Sequence, residues 1–431
     1  MTGRAVRGLE RVDRAGSGLT ADLVLYALAA GFALITALTS TLLPHRAWGA
    51  IAAWAYAVGA AAVLLQMAGR FTAYGRSGNL IGDSARAALA WTVGMAAGLV
   101  PLIVEAVQRA GGRTDRAQEE VLVVERMGER LLHDGTPYLA RDAIAALPLD
   151  ERLMAYSPYQ PGMAVFGLPR AAFGAHWWTD SRVWFAVVTV VALIAAVRLA
   201  AGPSSLVVRA IQAVAVFPVA ALTIATGGDD LPVLALCLLA LALAARDRFG
   251  WAGVAVGAAA AGKLFAIPVV VVLAVLAVAR GRWKVFLPGA IGLPVLVLVP
   301  PFLVDSGGFV ENVLRFPLGH GLVKSPAQSP FPGYLIAQHL PGGRFLAAGL
   351  LVAVAATIGV WLIRRPPRTA TTAALICAWG LLAAILLLPT SRFGYLLYPV
   401  ALLAWAPALA PVSDVSRRTF SKHTAGRGRS E

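Results

Sequence analysis

The sequence has little charge: Asp, Glu, Lys and Arg make up 14% of its 431 residues, against 58% that are hydrophobic. A soluble domain carries roughly a quarter charged residues. Such a deficit excludes an ordinary water-soluble globule and points to lipid as the solvent. Cysteine is also scarce. The two present, Cys237 and Cys377, lie inside apolar runs, so neither a disulfide framework nor a zinc site is indicated. Segments of about 10 residues with alternating polarity, the signature of a spanning β-barrel, are missing. So is any tandem repeat. No cleavable signal peptide is evident, and the first apolar run reads as an uncleaved first helix.

What is present is a series of long apolar runs. Lipid cannot hydrogen-bond a backbone, so each run must satisfy its own amides, which a helix does; a span needs about 20 residues. Spans are expected near 21–43, 47–68, 87–108, 182–201, 206–226, 230–245, 285–303, 345–363, 370–389 and 393–410. The fold class is therefore all-α, a polytopic membrane helical bundle of about ten spans. A further apolar segment, 250–279, is interrupted at Gly262–Lys263.

The formal net charge is +15. In a soluble protein this would suggest nucleic acid as a partner. Here the excess reads as topogenic, holding cytoplasmic loops against anionic lipid, and no nucleic acid is expected. Arg4, Arg7, Arg11 and Arg14 place the N-terminus in the cytoplasm. Arg70, Arg76, Arg86, Arg198, Arg209, Arg246 and Arg248 then fall on the same side. Arg280, Arg282 and Lys284 join them only if 250–279 is a re-entrant hairpin of two half-helices. So do Arg364, Arg365, Arg368 and a tail with Arg417, Arg418, Lys422, Arg427 and Arg429. Broken helices are tolerated at membrane depth where protein or a cavity covers the exposed backbone.

Two long polar segments, 109–181 and 304–344, then lie outside. Loops of that length are too long for mere connectors. They hold YSPYQPG (156–162) and KSPAQSPFPGY (324–334), whose prolines disfavour regular helix. The stretch 117–134, AQEEVLVVERMGERLLHD, is amphipathic at helical spacing. Val121, Val124, Met127, Leu131 and Leu132 share one face; Glu119, Glu125, Arg126, Glu129, Arg130 and His133 share the other. Such a helix would lie along the outer membrane surface, ended by Gly135 and Pro137. Glu120 falls on the apolar face. A carboxylate on a buried face resists ionisation unless paired, which suits a general base for a hydroxyl. A purely structural pairing with Arg116 or Arg182 is the alternative. Asp115 is the competing acid, or a residue favoured by the helix dipole.

The order of these features resembles the GT-C membrane glycosyltransferases, family 87 above all, the polyprenol-phosphate-mannose-dependent type. The match runs Glu120, Gly128, then Gly135-Thr136-Pro137-Tyr138, with Glu where the family's acid is usually Asp. It continues with Tyr156 and Pro158, Asp229 and Asp230 at the outer end of a span, and Gly257 to Lys263. It covers roughly 87–400. The implied organisation is an N-terminal tail with two extra spans (1–86), a transmembrane core (87–410) and a basic cytoplasmic tail (411–431).

The resemblance implies a reaction: a polyprenyl-phosphate sugar donor, mannose being the expected sugar, an acceptor hydroxyl on a lipid or glycan, and inversion at the anomeric carbon. Such enzymes use no nucleotide sugar, so the missing glycine fingerprint is expected, and no cofactor or metal is implied. Negative charge develops on the leaving phosphate and needs cations; the candidates are Lys263, Arg315, His320, Lys324 and Arg392. Lys263 is ionisable at membrane depth, a functional signal by default, although snorkelling or pairing with Asp229 or Asp230 would also explain it. Acceptor or sugar contacts are expected from Tyr138, Tyr156, Tyr159, Asp229 and Asp230. Tyr395 and Tyr398 read as interfacial belt aromatics. A secondary transporter, which also uses broken helices, a lipid flippase and an envelope-complex scaffold are the competing classes. The Ala-, Gly- and Arg-rich composition points to the plasma membrane of a high-GC bacterium.

Overall fold

The computed structural model describes residues 18–72 and 82–410. The N-terminal arginines 4–14, Arg76 and the 411–431 tail lie outside the described residues, as does the side chain of Arg70. The described chain is an all-α bundle; its only β-type pairing is an isolated bridge between Gln328 and Ser391.

Among the described residues seven helices are long and apolar enough to cross a membrane. They are α1 (Leu19–Thr39), α2 (Leu43–Thr72), α3 (Asp83–Ala110), α5 (Ser181–Leu199), α11 (Trp283–Val304), α12 (Gly343–Arg364) and α13 (Ala370–Leu387). An eighth is the pair α6 (Ser204–Val216) and α7 (Pro218–Thr226), bent by 40°. Phe217 and Pro218 explain the bend, because proline cannot donate into the preceding turn. The amphipathic helix α4 is Glu119–Asp134, and Gly135 ends it at φ 71°, a left-handed conformation that glycine adopts without steric cost.

Two of the ten expected spans are shorter than a bilayer needs. Helix α8 (Asp230–Ala245) and α14 (Phe393–Ala408) belong to the shorter apolar class. Sixteen residues of α8 reach about 24 Å, under the roughly 30 Å hydrocarbon thickness. Both begin beside charged residues, Asp229 and Arg392.

The apolar segment 250–279 is broken at the expected place. Helix α9 (Phe249–Gly262) and α10 (Leu264–Ala279) are separated by Lys263, whose backbone is extended. Residues 247–251 line a surface pocket together with Arg282 and Val285. The two outer ends of the pair are thus neighbours, as a hairpin requires. Glycines make the packing close: a Cβ on Gly253 would stand 2.1 Å from the Phe286 carbonyl oxygen, and one on Gly257 2.1 Å from that of Gly289. This small-residue spacing lets helix backbones approach in lipid, where packing replaces the hydrophobic drive.

Helix α4 departs from the expected surface orientation. Glu125 is buried, although its angle put it with the polar residues, and Leu132 is 50% exposed. The reason is tertiary. The helix packs on the 161–173 region, so closely that a Cβ on Gly128 would meet the Gly167 carbonyl carbon at 2.3 Å. Protein rather than lipid covers Val121, Val123, Val124 and Met127.

Candidate active site

Lys263, at the tip of the α9–α10 hairpin, is buried against the N-terminus of α8. Its Nζ lies 2.5 Å from Asp230 Oδ1 and 2.8 Å from Asp229 Oδ2. The second contact joins charges without hydrogen-bond alignment, since Asp229 Oδ2 is buried with no hydrogen-bond partner. Tyr398 donates from its hydroxyl to Asp230 Oδ1 at 2.9 Å. The Lys263 ammonium also stands 5.1 Å from the Tyr159 ring centre and 5.9 Å from that of Tyr395, within cation–π range. Phe265 packs on both Tyr395 and Tyr398. These two tyrosines were expected as belt aromatics. They instead wall the lysine, because the α14 start folds inward over Lys263.

Glu120 is held beside this group. Its carboxylate pairs with Arg392, with side-chain exposures of 15% and 39%. The half-buried acid is therefore paired, but with neither Arg116 nor Arg182. Arg116 bonds Asp115 and Gln108, and Arg182 bonds Asp180 and Glu105. Tyr159 joins the two charged groups. Burial, then Asp229, Glu120 and Asp230, hold its hydroxyl well above the usual tyrosine range. It remains a neutral wall between carboxylates.

Asp115 is not part of this cluster. It pairs with Arg113 at 3.0 Å and Arg116 at 2.6 Å on an exposed turn. The Arg113 hydrogen bond, with Arg116 beside it, holds its carboxyl below the usual range, which weakens it as a base.

The remaining candidates divide. Tyr138 is buried and donates to the Tyr159 carbonyl at 2.8 Å, so it supports the wall rather than facing it. Tyr156 is buried elsewhere. It donates to Glu311, receives the Leu322 N–H and stacks on Phe316. Arg315, His320 and Lys324 are exposed on the 304–344 segment. The backbone near Lys324 is nevertheless tied to the Arg392 strand: Ser329 N–H donates to Ser391 O at 2.9 Å, and Ser391 N–H to Ala327 O at 3.1 Å. Among the described residues no group of three or more His, Cys, Asp or Glu is placed to hold a metal ion.

A second charged network flanks the site. Arg109 makes paired 2.7 Å bonds to Glu125 and a 2.9 Å bond to Asp180. Arg182 grips Asp180 and reaches Glu105. Burial works against the Asp180 charge, yet Arg182 and Arg109 hold its carboxyl well below the ordinary range. This network fastens α4 to α3 and α5.

The arrangement is a half-buried acid with one half-exposed arginine partner and, across Tyr159 and Tyr395, a lysine between two aspartates. The model of glycosyltransferase family 87 matches residues 158–389, more than half of the chain. The chain belongs to glycosyltransferase family 87. Among its described residues it carries seven helices long and apolar enough to cross a membrane, consistent with a multi-pass membrane protein. No curated protein matches it. Two structures of ArnT from Cupriavidus metallidurans are similar. The one bound to undecaprenyl phosphate shares 18% identity at a TM-score of 0.45, over 82% of this chain and 63% of that chain. The apo one shares 20% at 0.43, over 79% and 63%. This chain thus covers less than two thirds of ArnT. Lys263, Asp229, Asp230 and Tyr159 fall inside the family-matched segment; Glu120, Arg392, Tyr395 and Tyr398 fall outside it.

Sequence reasoning missed several neighbours of the site. His45, Gln118 and Thr226 meet beside Glu120. No local pattern marks them, because three separate segments supply one residue each.

Proposed function

We propose that this family 87 enzyme transfers a sugar, with mannose as the expected one, from a polyprenyl-phosphate donor to a hydroxyl of a lipid or glycan acceptor. The anomeric carbon inverts. The observation that carries the reading is that Tyr159 and Tyr395 link the Glu120–Arg392 pair to the Lys263 group: the Lys263 ammonium stands 5.1 Å and 5.9 Å from their ring centres, and Glu120 acts electrostatically on Tyr159. An in-line displacement needs a base and cations grouped in this way.

The step balances as follows. Glu120 takes the proton of the acceptor hydroxyl as its oxygen bonds to the anomeric carbon. The bond from that carbon to the phosphate oxygen breaks, and its electron pair leaves with the polyprenyl phosphate. Arg392 exchanges Glu120 for the incoming phosphate, which frees the carboxylate when donor is bound. Lys263 adds positive charge from within the recess, and such preorganised charge is commonly the largest catalytic contribution. Lys324, Arg315 and His320 would add outer contacts to the donor from the 304–344 segment. Asp229, Asp230 and Tyr159 would meet sugar hydroxyls.

In this reading the site end faces outward from a bacterial plasma membrane, and both termini are cytoplasmic. Support comes from Arg198, Arg246, Arg248, Arg280, Arg282 and Arg364, which sit at the helix ends remote from Lys263. The arginines of 109–181 do not oppose it, since long loops cross largely regardless of charge. We assign 1–86 as an addition to the core 87–410.

Membranes containing the chain, given radiolabelled polyprenyl-phosphate mannose and an envelope acceptor, test this. Glu120→Gln should lower transfer by about 100-fold or more, the scale of a lost general base. Full activity in that variant would remove Glu120 from the role, and a loss in Asp115→Asn instead would move it there. Preference for an arabinosyl or galactosyl donor would overturn the choice of mannose.

A further inference from the structure

The N-terminal helices lie outside the family-matched segment, yet one of their side chains reaches the site. His45 stands in the first turn of α2. Its Nε2 is 2.7 Å from Gln118 Nε2, and the ring lies within electrostatic range of Glu120. Gln118 occupies the position before α4 but does not cap it with its side chain. The amide instead bridges two other elements. Thr226 donates from Oγ1 to Gln118 Oε1 at 3.1 Å, and the Gln118 N–H donates to the Thr226 carbonyl at 2.9 Å. Thr226 is the last residue of α7, three before Asp229.

The Gln118 amide offers both a donor and an acceptor, so it can meet His45 and Thr226 at once; Thr226 Oγ1 also donates to the Leu222 carbonyl at 2.9 Å. There is no slack beside the bridge: a Cβ on Gly227 would stand 2.6 Å from Gln118 Oε1. One half-buried amide thus ties α2, the start of α4 and the end of α7 together. Glu120 lies two residues along α4 from it.

We infer that His45 is a positioning residue for sugar transfer: through Gln118 it sets Glu120 and the Asp229–Asp230 turn in register across the site. The inference rests on the reading of Glu120 as the base. Docking of the N-terminal helices does not need His45. Trp48 Nε1 donates to the Ala97 carbonyl at 2.8 Å, and the Tyr56 hydroxyl to that of Val216 at 2.7 Å. At the other end Arg86 and Arg209 bond Asp22. A change at His45 therefore acts on register and not on assembly.

The test uses the full chain in membranes with polyprenyl-phosphate mannose. His45→Leu should lower kcat by about tenfold or more, since small misplacements of a reacting group cost this much. The KM for donor and the melting temperature should stay near those of the unaltered chain. His45→Gln, whose side-chain oxygen can stand near Nε2, should recover most of kcat; His45→Asn, one methylene shorter, should not. Gln118→Leu should match His45→Leu, and the double variant should be no worse than either. An unchanged kcat in His45→Leu, a loss that glutamine fails to rescue, or additive losses in the double variant would overturn the inference. Loss in Glu120→Gln with no change in His45→Leu would overturn it alone and leave the base assignment intact. Full activity in Glu120→Gln with a rescued loss in His45→Leu would break the base assignment and leave the junction acting on Asp229 and Asp230.

Discussion

Helix α4 carries two glutamates five residues apart whose surroundings are opposite. Glu125 accepts two 2.7 Å bonds from Arg109, a 3.1 Å contact from Arg170 and the Ser181 N–H. Its partners are themselves shared with Asp180 and Arg182. Glu120 has Arg392, which is 39% exposed, and an imidazole nearby. A carboxylate with every lone pair engaged by fixed, buried arginines cannot accept a substrate proton without dismantling its surroundings. One with a single, half-exposed partner can. The difference separates a fastening from a working group at the same end of one helix.

The widest gap should appear when each group loses its central cation. Arg182 has no exposed side-chain surface and holds Asp180 and Glu105. Arg182→Met should destabilise the protein by about 3–5 kcal/mol, the cost of orphaning a buried charge, read as failure to accumulate folded chain in detergent. Lys263→Met should behave otherwise. Its carboxylates lie at the N-terminus of α8, whose dipole offsets part of the lost charge. Folded protein should persist, and transfer should fall by about 100-fold. Equal melting losses in the two variants would erase the distinction drawn here.

A smaller effect should follow from moving α4 as a body. Gly128 faces Gly167, where a Cβ would stand 2.3 Å from the carbonyl carbon. Gly128→Ala should cost about 1–3 kcal/mol, as overpacking does. It should also lower transfer, because α4 carries Glu120. Thermal melting and transfer measured on one preparation would show whether the two changes move together; reduced stability with unaltered transfer would mean that the placement of α4 tolerates a shift.

The sequence made some of this plain and hid the rest for physical reasons. A Gly–Lys pair inside an apolar run announces a break at membrane depth, and the hairpin at Lys263 follows from it. The long apolar runs mark their own helices, although α8 and α14 are shorter than the runs suggested and start beside Asp229 and Arg392. Helical angle alone put Glu125 on the polar face and gave the apolar face to the membrane surface. It cannot foresee that Arg109, from the end of α3, and Arg170, from a later turn, converge on the polar face. Tyr395 and Tyr398 looked like belt residues because a tyrosine at a span end usually is one. Their placement around Lys263 depends on the fold of the preceding loop, held by Ser391 and Ala327. His45 gave no signal at all. Its partners lie 73 residues away at Gln118 and further on at Thr226, and each is an ordinary polar residue at a helix end.

The smallest effect expected is the one that decides between the two acids. Asp115 also pairs with arginines, at distances like those around Glu125, but on an exposed turn. Exposure changes the consequence: water screens the charges and the two side chains must be ordered to meet, so such pairs contribute little. Nor is Asp115 placed against the Lys263 group, and Arg113 holds its carboxyl below the range that favours accepting a proton. Asp115→Asn should therefore leave both melting temperature and transfer nearly unchanged, the latter within about twofold. A large drop in transfer with normal melting would mean that the turn before α4 moves into the recess when donor binds. The acid of the reaction would then be the exposed one, and Glu120 would belong with Glu125 as a fastening.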